Sequence, residues 1–247
     1  AIADACTDRA ESMILEIGPG VGCLTQELAL RYRRVVAVEI DRGLIPVLEK
    51  TMAEYDNVRI INDDVMKIDL HRVIEEEFNG EEVAVCANLP YYITSPVIMK
   101  LLEDRLPITS ITVMVQKEAA VRICAAPGTR ECGAVSAAVQ YYAEPEILFE
   151  VSRGSFMPAP NVDSAVIQLR IRKEPPVDVH DEALFFRVIR AAFAQRRKTA
   201  VNSISNTLHM SKQQVTDAFE QAGVRANSRA EALTLPEFAA IVNQLAD

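Results

Sequence analysis

Over the first two-thirds of the chain, short runs of β-branched and aliphatic residues alternate with helical stretches. This is the pattern of a parallel sheet with crossover helices. Met13–Ile17 (MILEI) reads as the first strand and Val35–Glu39 (VVAVE) as the second. Val58–Ile61, Val83–Ala87 and Ile111–Val115 (ITVMV) follow as the third, fourth and fifth. Helical spacing falls between them, as at Leu24–Arg31 and Leu44–Glu54. Glu146–Val151 and Ser164–Arg170 add two later strands, so a mostly parallel seven-stranded sheet with an antiparallel pair at one edge is expected.

The pattern changes near Lys173-Glu174-Pro175-Pro176, where two prolines interrupt the chain. Beyond them Ala183–Ala194, Thr199–Leu208 and Lys212–Ala222 carry apolar residues at helical spacing, and Thr234-Leu235-Pro236-Glu237 opens a last helix with a capping box. The expected organisation is an α/β domain over 1–175 and a small all-helical domain over 176–247.

Composition narrows the class. Apolar residues make up 49% and charged residues 25%, as in globular proteins generally. No apolar run approaches the roughly 18 to 20 residues of a membrane span, and the opening is not a secretory signal. Five cysteines without a C-x-x-C pair argue against a disulfide framework or zinc site and for a reducing cytoplasm. His71, His180 and His209 stand in no ligand spacing, so no metal is expected. A net charge of −9 runs against a nucleic-acid partner, but its distribution does not. From Ala183 to Lys212 there is no Asp or Glu, while Arg187, Arg190, Arg196, Arg197, Lys198 and Lys212 are present. Composition alone leaves open a phosphate-binding patch or a solvated helix face.

Candidate chemistry begins after the first strand. Glu16-Ile17-Gly18-Pro19-Gly20-Val21-Gly22 lets backbone approach a ligand closely and presents the free N–H groups of a helix start. Glu39 ends the second strand, with Ile40 beside it, where a carboxylate can accept two ribose hydroxyls. The G-x-G-x-G spacing favours a methyltransferase, whose cofactor has no pyrophosphate. A nicotinamide or flavin enzyme, or a purely structural turn, stays open at this point. Asp64 and Val65, after the third strand, suit an adenine amino group and ring, and equally a solvated loop.

Asn88-Leu89-Pro90-Tyr91 follows the fourth strand, at the edge where open α/β sheets bind ligands. An exocyclic adenine amine is a weak nucleophile because its lone pair is delocalised into the ring. The Asn88 side-chain oxygen and a backbone carbonyl can accept its N–H groups and aim the lone pair, so positioning replaces a strong base. Pro90 stiffens the loop, and Tyr91 offers a face for stacking.

The runs ANLPYYITSP (Ala87–Pro96), VQKEAAVRI (Val115–Ile123), FMPAPNVDSAVIQL (Phe156–Leu169) and FAQRRKTAVNS (Phe193–Ser203) resemble the KsgA (RsmA) family of small-subunit rRNA adenine dimethyltransferases. The likeness is colinear over nearly the whole chain. It implies a Rossmann-like class I methyltransferase fold, with S-adenosylmethionine as cofactor. It also implies dimethylation of two adjacent adenosines in the hairpin near the 3′ end of 16S rRNA, within a small-subunit particle. Asn88 and the Leu89 carbonyl would bind the amine, with Tyr91 and Phe156 on either side of the base. Glu39 would hold the ribose, Asp64 the cofactor adenine, and the Glu16–Gly22 turn the methionine side. The resemblance places a further segment, containing Gln-Asn-Phe-Leu, before the first strand; the sequence begins after it, so weaker cofactor binding is expected. It also departs at Cys132, where a bulkier residue is usual; no role follows from that. With the QRRKT match at Gln195–Thr199, the acid-free stretch Ala183–Lys212 is expected to face RNA through Arg187, Arg190, Arg196, Arg197 and Lys198, in a monomer. Two rivals remain: the erythromycin-resistance (Erm) methylases of 23S rRNA, which more often read Asn-Ile-Pro in the loop, and a non-catalytic RNA-binding factor of the same fold.

Overall fold

Strands buried along their whole length need helices on both faces, and the central strands meet that condition. The computed structural model describes residues 1–157 and 160–246. Its strands are β1 (Met13–Ile17), β2 (Arg34–Glu39), β3 (Val58–Asn62), β4 (Val83–Ala87), β5 (Ile108–Gln116), β6 (Ala143–Val151) and β7 (Ser164–Ile171). They form one seven-stranded sheet in the order β3-β2-β1-β4-β5-β7-β6. Every residue of β1 and β4 is buried. β1 runs parallel to β2 and β4, β4 parallel to β5, and β5 antiparallel to β7. The fold is therefore the expected Rossmann-like methyltransferase type. β5 starts three residues before its expected position, at Ile108, because Thr109 and Ser110 interrupt the apolar run that marks it in sequence.

Topology places the site. The chain steps outward from β1 to β3 and then returns to β4 on the other side of β1. The switch point lies between β1 and β4, and ligands of open α/β sheets sit beyond the carboxyl ends of such a pair. Ile17 pairs with Ala87, so the glycine turn and the Asn88 loop emerge side by side.

The chain divides into two compact units, 1–120 with 144–171 and 121–143 with 172–247. The sequence reading kept 121–143 with the α/β domain. In the structure helix Ala134–Tyr142 belongs to the second unit, where its aromatic end meets helix Glu182–Phe193. Tyr142 stacks on Phe186 with centroids 5.3 Å apart, and Tyr141 meets Phe186 edge-on at 5.1 Å. Helices Ala200–Leu208, Lys212–Gln221 and Leu235–Ala246 complete this unit. Three of its helices begin on side-chain caps: Asp181, Thr199 and Ser211 each accept the N–H three residues on. Thr234 and Glu237 form the expected reciprocal box, with the Thr234 N–H donating to Glu237 at 2.7 Å. Among the described residues no helix is long and apolar enough to cross a membrane, and no group of three His, Cys, Asp or Glu could hold a metal ion.

Candidate active site

The turn after β1 is shaped by glycines at positive φ, +70° at Gly18 and +61° at Gly20. A side chain at Gly18 would stand 2.8 Å from Leu89 Cδ2, so the turn can lie against the Asn88 loop only without one. At Gly20 a Cβ would meet no protein atom within 4 Å, because this glycine borders open space. That space is a cavity of about 440 Å³ lined by Ile17, Gly18, Gly20, Glu39, Ile40, Asp64, Val65 and Asn88, among others.

Glu39 holds two sides of this cavity together. Its Oε2 accepts the Gly20 N–H at 3.0 Å and its Oε1 accepts the Asp41 N–H at 2.9 Å. The residue is 5% exposed, yet each carboxylate oxygen keeps a lone pair for a ligand hydroxyl. Asp64 is fixed locally: its Oδ1 accepts the Met66 N–H at 2.9 Å, and its Oδ2 lies 3.3 Å from Lys67 Nζ. The Met66 N–H first, and Lys67 after it, lower its pKa and keep it ionised.

Glu16 and Gly22 of the expected set do not line the cavity. Gly22 caps helix Cys23–Ala29 in the left-handed conformation. Glu16 is 1% exposed, paired in register with Ala37 and Cys86 and facing Thr25. Burial pushes its carboxyl up to about 7, and the Glu39 charge adds to the rise. The Thr25 hydroxyl opposes that rise without reaching hydrogen-bond geometry: Glu16 Oε2 and Thr25 Oγ1 are both buried without a partner among the described residues.

A second cavity of about 300 Å³ is lined by Asn88, Leu89, Pro90, Tyr91, Met114, Phe156 and Pro160. Asn88, Leu89 and Pro90 therefore border both spaces. Asn88 is exposed, and its side-chain amide has no hydrogen-bond partner among the described residues. Tyr91 is anchored, its hydroxyl 2.7 Å from Ser164 Oγ. Pro90 caps helix Tyr91–Glu103 and fixes the direction in which the loop leaves.

Sequence reasoning missed Asp41, Asp63, Tyr92 and Ile93 on the first cavity and Met114 and Pro160 on the second. Tyr92 and Ile93 stand inside the ANLPYYITSP run, so proximity to Asn88 was their available signal. In the second unit Arg187 and Arg190 are exposed on helix Glu182–Phe193, and Arg196, Arg197 and Lys198 on the turn that follows. None of the five has an acidic partner among the described residues.

Comparison with known proteins points to one family. A family model described as "Ribosomal RNA adenine dimethylase" matches residues 1–247. A curated "Ribosomal RNA small subunit methyltransferase A" from Geobacillus sp. (strain WCH70) is 53% identical over 239 residues, covering 95% of this chain and 82% of the relative. One of the same description from Alkaliphilus metalliredigens is 46% identical, covering 99% and 86%. Among solved structures, the 23S rRNA methyltransferase ErmE is similar with a TM-score of 0.74 and 26% identity, covering 100% of this chain and 96% of its own. A dimethyladenosine transferase from Plasmodium falciparum shares the fold with a TM-score of 0.77 at 22% identity, covering 97% and 92%.

Proposed function

The chain belongs to the ribosomal RNA adenine dimethylase family, and from that premise we propose that it dimethylates the N6 amines of two adjacent adenosines in the 3′-terminal hairpin of 16S rRNA in the small subunit. The observation that carries the reading is the position of Asn88–Pro90, bordering one cavity suited to a methyl donor and a second suited to a base.

The enzyme uses S-adenosylmethionine, which supplies an electrophilic methyl group on a sulfonium. The cavity fits such a group: an open face at Gly20, a buried carboxylate at Glu39, and an ionised Asp64 with apolar Val65 beside it. Glu39 would hold the ribose hydroxyls, Asp64 the adenine amino group, and Gly18 and Gly20 the methionine side. Glu16 would act on that side from behind the turn, and Gly22 would act through the start of its helix.

The rest follows from the chain's own groups. Asn88 Oδ1 and the Leu89 carbonyl accept the two N–H groups of the target amine and direct its lone pair across the boundary between the cavities. Tyr91 and Phe156 hold the base by its faces. No basic side chain is needed at the amine, because the proton becomes strongly acidic once the nitrogen has formed its new bond. The cations Arg187, Arg190, Arg196, Arg197 and Lys198 on the second unit would bind RNA phosphates, and the protein would act as a monomer without a metal.

The relatives described as small-subunit enzymes are 46–53% identical, against 26% for ErmE, which favours the small subunit over 23S rRNA. The test is methyl transfer to small and large subunits isolated without these modifications. Dimethyladenosine confined to small-subunit RNA is expected. Product on 23S rRNA alone would assign the chain to the other substrate, and binding without product would make it an assembly factor.

A further inference from the structure

The two aromatic walls of the base cavity come from distant parts of the chain, yet both are tied to one dipeptide. Ser164 opens β7, is fully buried and pairs with Gln116 of β5. Its Oγ lies 2.7 Å from the Tyr91 hydroxyl. The preceding residue, Asp163, accepts the Arg153 N–H on Oδ1 at 2.9 Å, and its carbonyl accepts the Lys117 N–H at 3.0 Å. Arg153 begins the turn Arg153–Ser155, capped by the Ser152 hydroxyl, which delivers Phe156 to the cavity. One wall is thus fastened through a side-chain hydroxyl and the other through a backbone anchor, both at the start of β7.

We propose that Asp163 and Ser164 are positioning residues for the target base, and that their hold matters more for the second methyl transfer than for the first. The proposal rests on the reading of Asn88 and Leu89 as acceptors for the adenine amine. In each transfer the N6 lone pair forms the new N–C bond as the C–S bond breaks. Sulfur keeps that electron pair as a neutral thioether, and one N6 proton passes to water. The unmodified amine can donate two N–H groups, one to Asn88 Oδ1 and one to the Leu89 carbonyl. After the first transfer a single N–H remains. Half of the polar anchoring is then gone, and the added methyl must be accommodated without tilting the base. Orientation in the second step falls to the walls that Ser164 and Asp163 hold still. Loosening those walls should therefore leave the reaction half-finished.

The experiment follows products over time on small subunits that lack the modification, with nucleoside digests resolving N6-methyladenosine from N6,N6-dimethyladenosine. The variants are Ser164→Ala and Tyr91→Phe, which break one hydrogen bond from its two ends, and Asp163→Ala, which frees the Phe156 turn. At equal consumption of substrate, the ratio of monomethyl to dimethyl product should rise about three- to tenfold for Ser164→Ala and Tyr91→Phe, the effect of one lost hydrogen bond. It should rise in the same direction for Asp163→Ala. The double variant Tyr91→Phe/Ser164→Ala should be no worse than the more affected single variant, because both remove the same bond. Affinity for S-adenosylhomocysteine should not change, since neither Asp163 nor Ser164 lines the cofactor cavity. If Ser164→Ala melts early, Tyr91→Phe still breaks the bond without altering a buried residue. Variants that are slower but keep the wild-type product ratio would overturn the inference and leave the proposed function standing. A wild-type enzyme that forms no methylated adenine would overturn both.

Discussion

The two cavities that meet at Asn88–Pro90 are built from different materials. The larger is framed by backbone: a glycine turn, and a buried carboxylate whose two oxygens take N–H groups from Gly20 and Asp41. The smaller is framed by side chains, with Tyr91 at the head of its helix and Phe156 after a short turn, their anchors converging on Ser164 and Asp163. A ligand used in every cycle suits a frame of fixed hydrogen bonds. A base that is presented, modified and presented again needs flat faces and few polar contacts. Removing a charge on one side should thus change affinity, and changing a contact on the other should change rate or product.

The largest effect is expected where the cavities meet. Asn88→Ala should lower turnover on the order of 10²–10³-fold while cofactor affinity stays within about twofold, because the proposed role of the side chain is to act on the amine as charge develops. Single-turnover rates with parallel calorimetry measure both. An equal fall in the two would place Asn88 on the donor side alone.

Next is the buried carboxyl of the donor side. Glu16 has its pKa raised to about 7 from 4.5, first by burial, so the folded protein holds a proton there that the unfolded chain releases at lower pH. Its stabilising contribution is complete below about pH 4.5 and is lost as pH rises through about 7. Glu16→Gln, which cannot ionise, should gain on wild type across that window by up to about 3 kcal/mol. Denaturant unfolding of both proteins at pH 5 and pH 8 checks this. A constant difference between the two pH values would show that Glu16 stays charged.

Much of this arrangement is legible in sequence, for physical reasons. β1 and β4 are buried along their whole length and are apolar but for Glu16, so MILEI and VAVCA mark themselves. The glycine turn is legible because positive φ excludes most other residues. Ser164 is not: a serine at the head of a strand has many uses, and its bond to Tyr91 spans 73 residues of chain. Helix Ala134–Tyr142 is apolar in a way that suits either unit, and the contacts of Tyr141 and Tyr142 with helix Glu182–Phe193 assign it. Glu39 is legible as a candidate ligand from its place at the end of β2, but its structural tie to Gly20 depends on the folded turn.

That double role gives the third prediction. Glu39→Ala should weaken S-adenosylhomocysteine binding about 10- to 100-fold, since charge-assisted hydrogen bonds are lost. It should also relax the Gly20 turn, which amide exchange at Gly20 and Asp41 would report. Unchanged affinity would leave Glu39 as a brace only.

The smallest effect is expected in the second unit, none of whose residues lines either cavity. Replacing Arg196 and Arg197 by alanine should weaken small-subunit binding several-fold at moderate salt. It should also flatten its salt dependence by up to about one log–log unit per lost phosphate contact. Cofactor affinity should not move. Coincident salt plots for wild type and variant would remove the pair from the RNA surface.

The division of labour between the cavities is tested most directly by a crystal structure with a bisubstrate analogue, in which adenosine N6 is linked through carbon to the donor side of an S-adenosylmethionine mimic. The account predicts the mimic's ribose hydroxyls on Glu39 and its adenine beside Asp64 and Val65. The target adenine should lie between Tyr91 and Phe156, with its N6 within hydrogen-bond reach of Asn88 Oδ1 and the Leu89 carbonyl. A target adenine bound outside the Tyr91–Phe156 cavity, or with N6 turned away from Asn88, would contradict it.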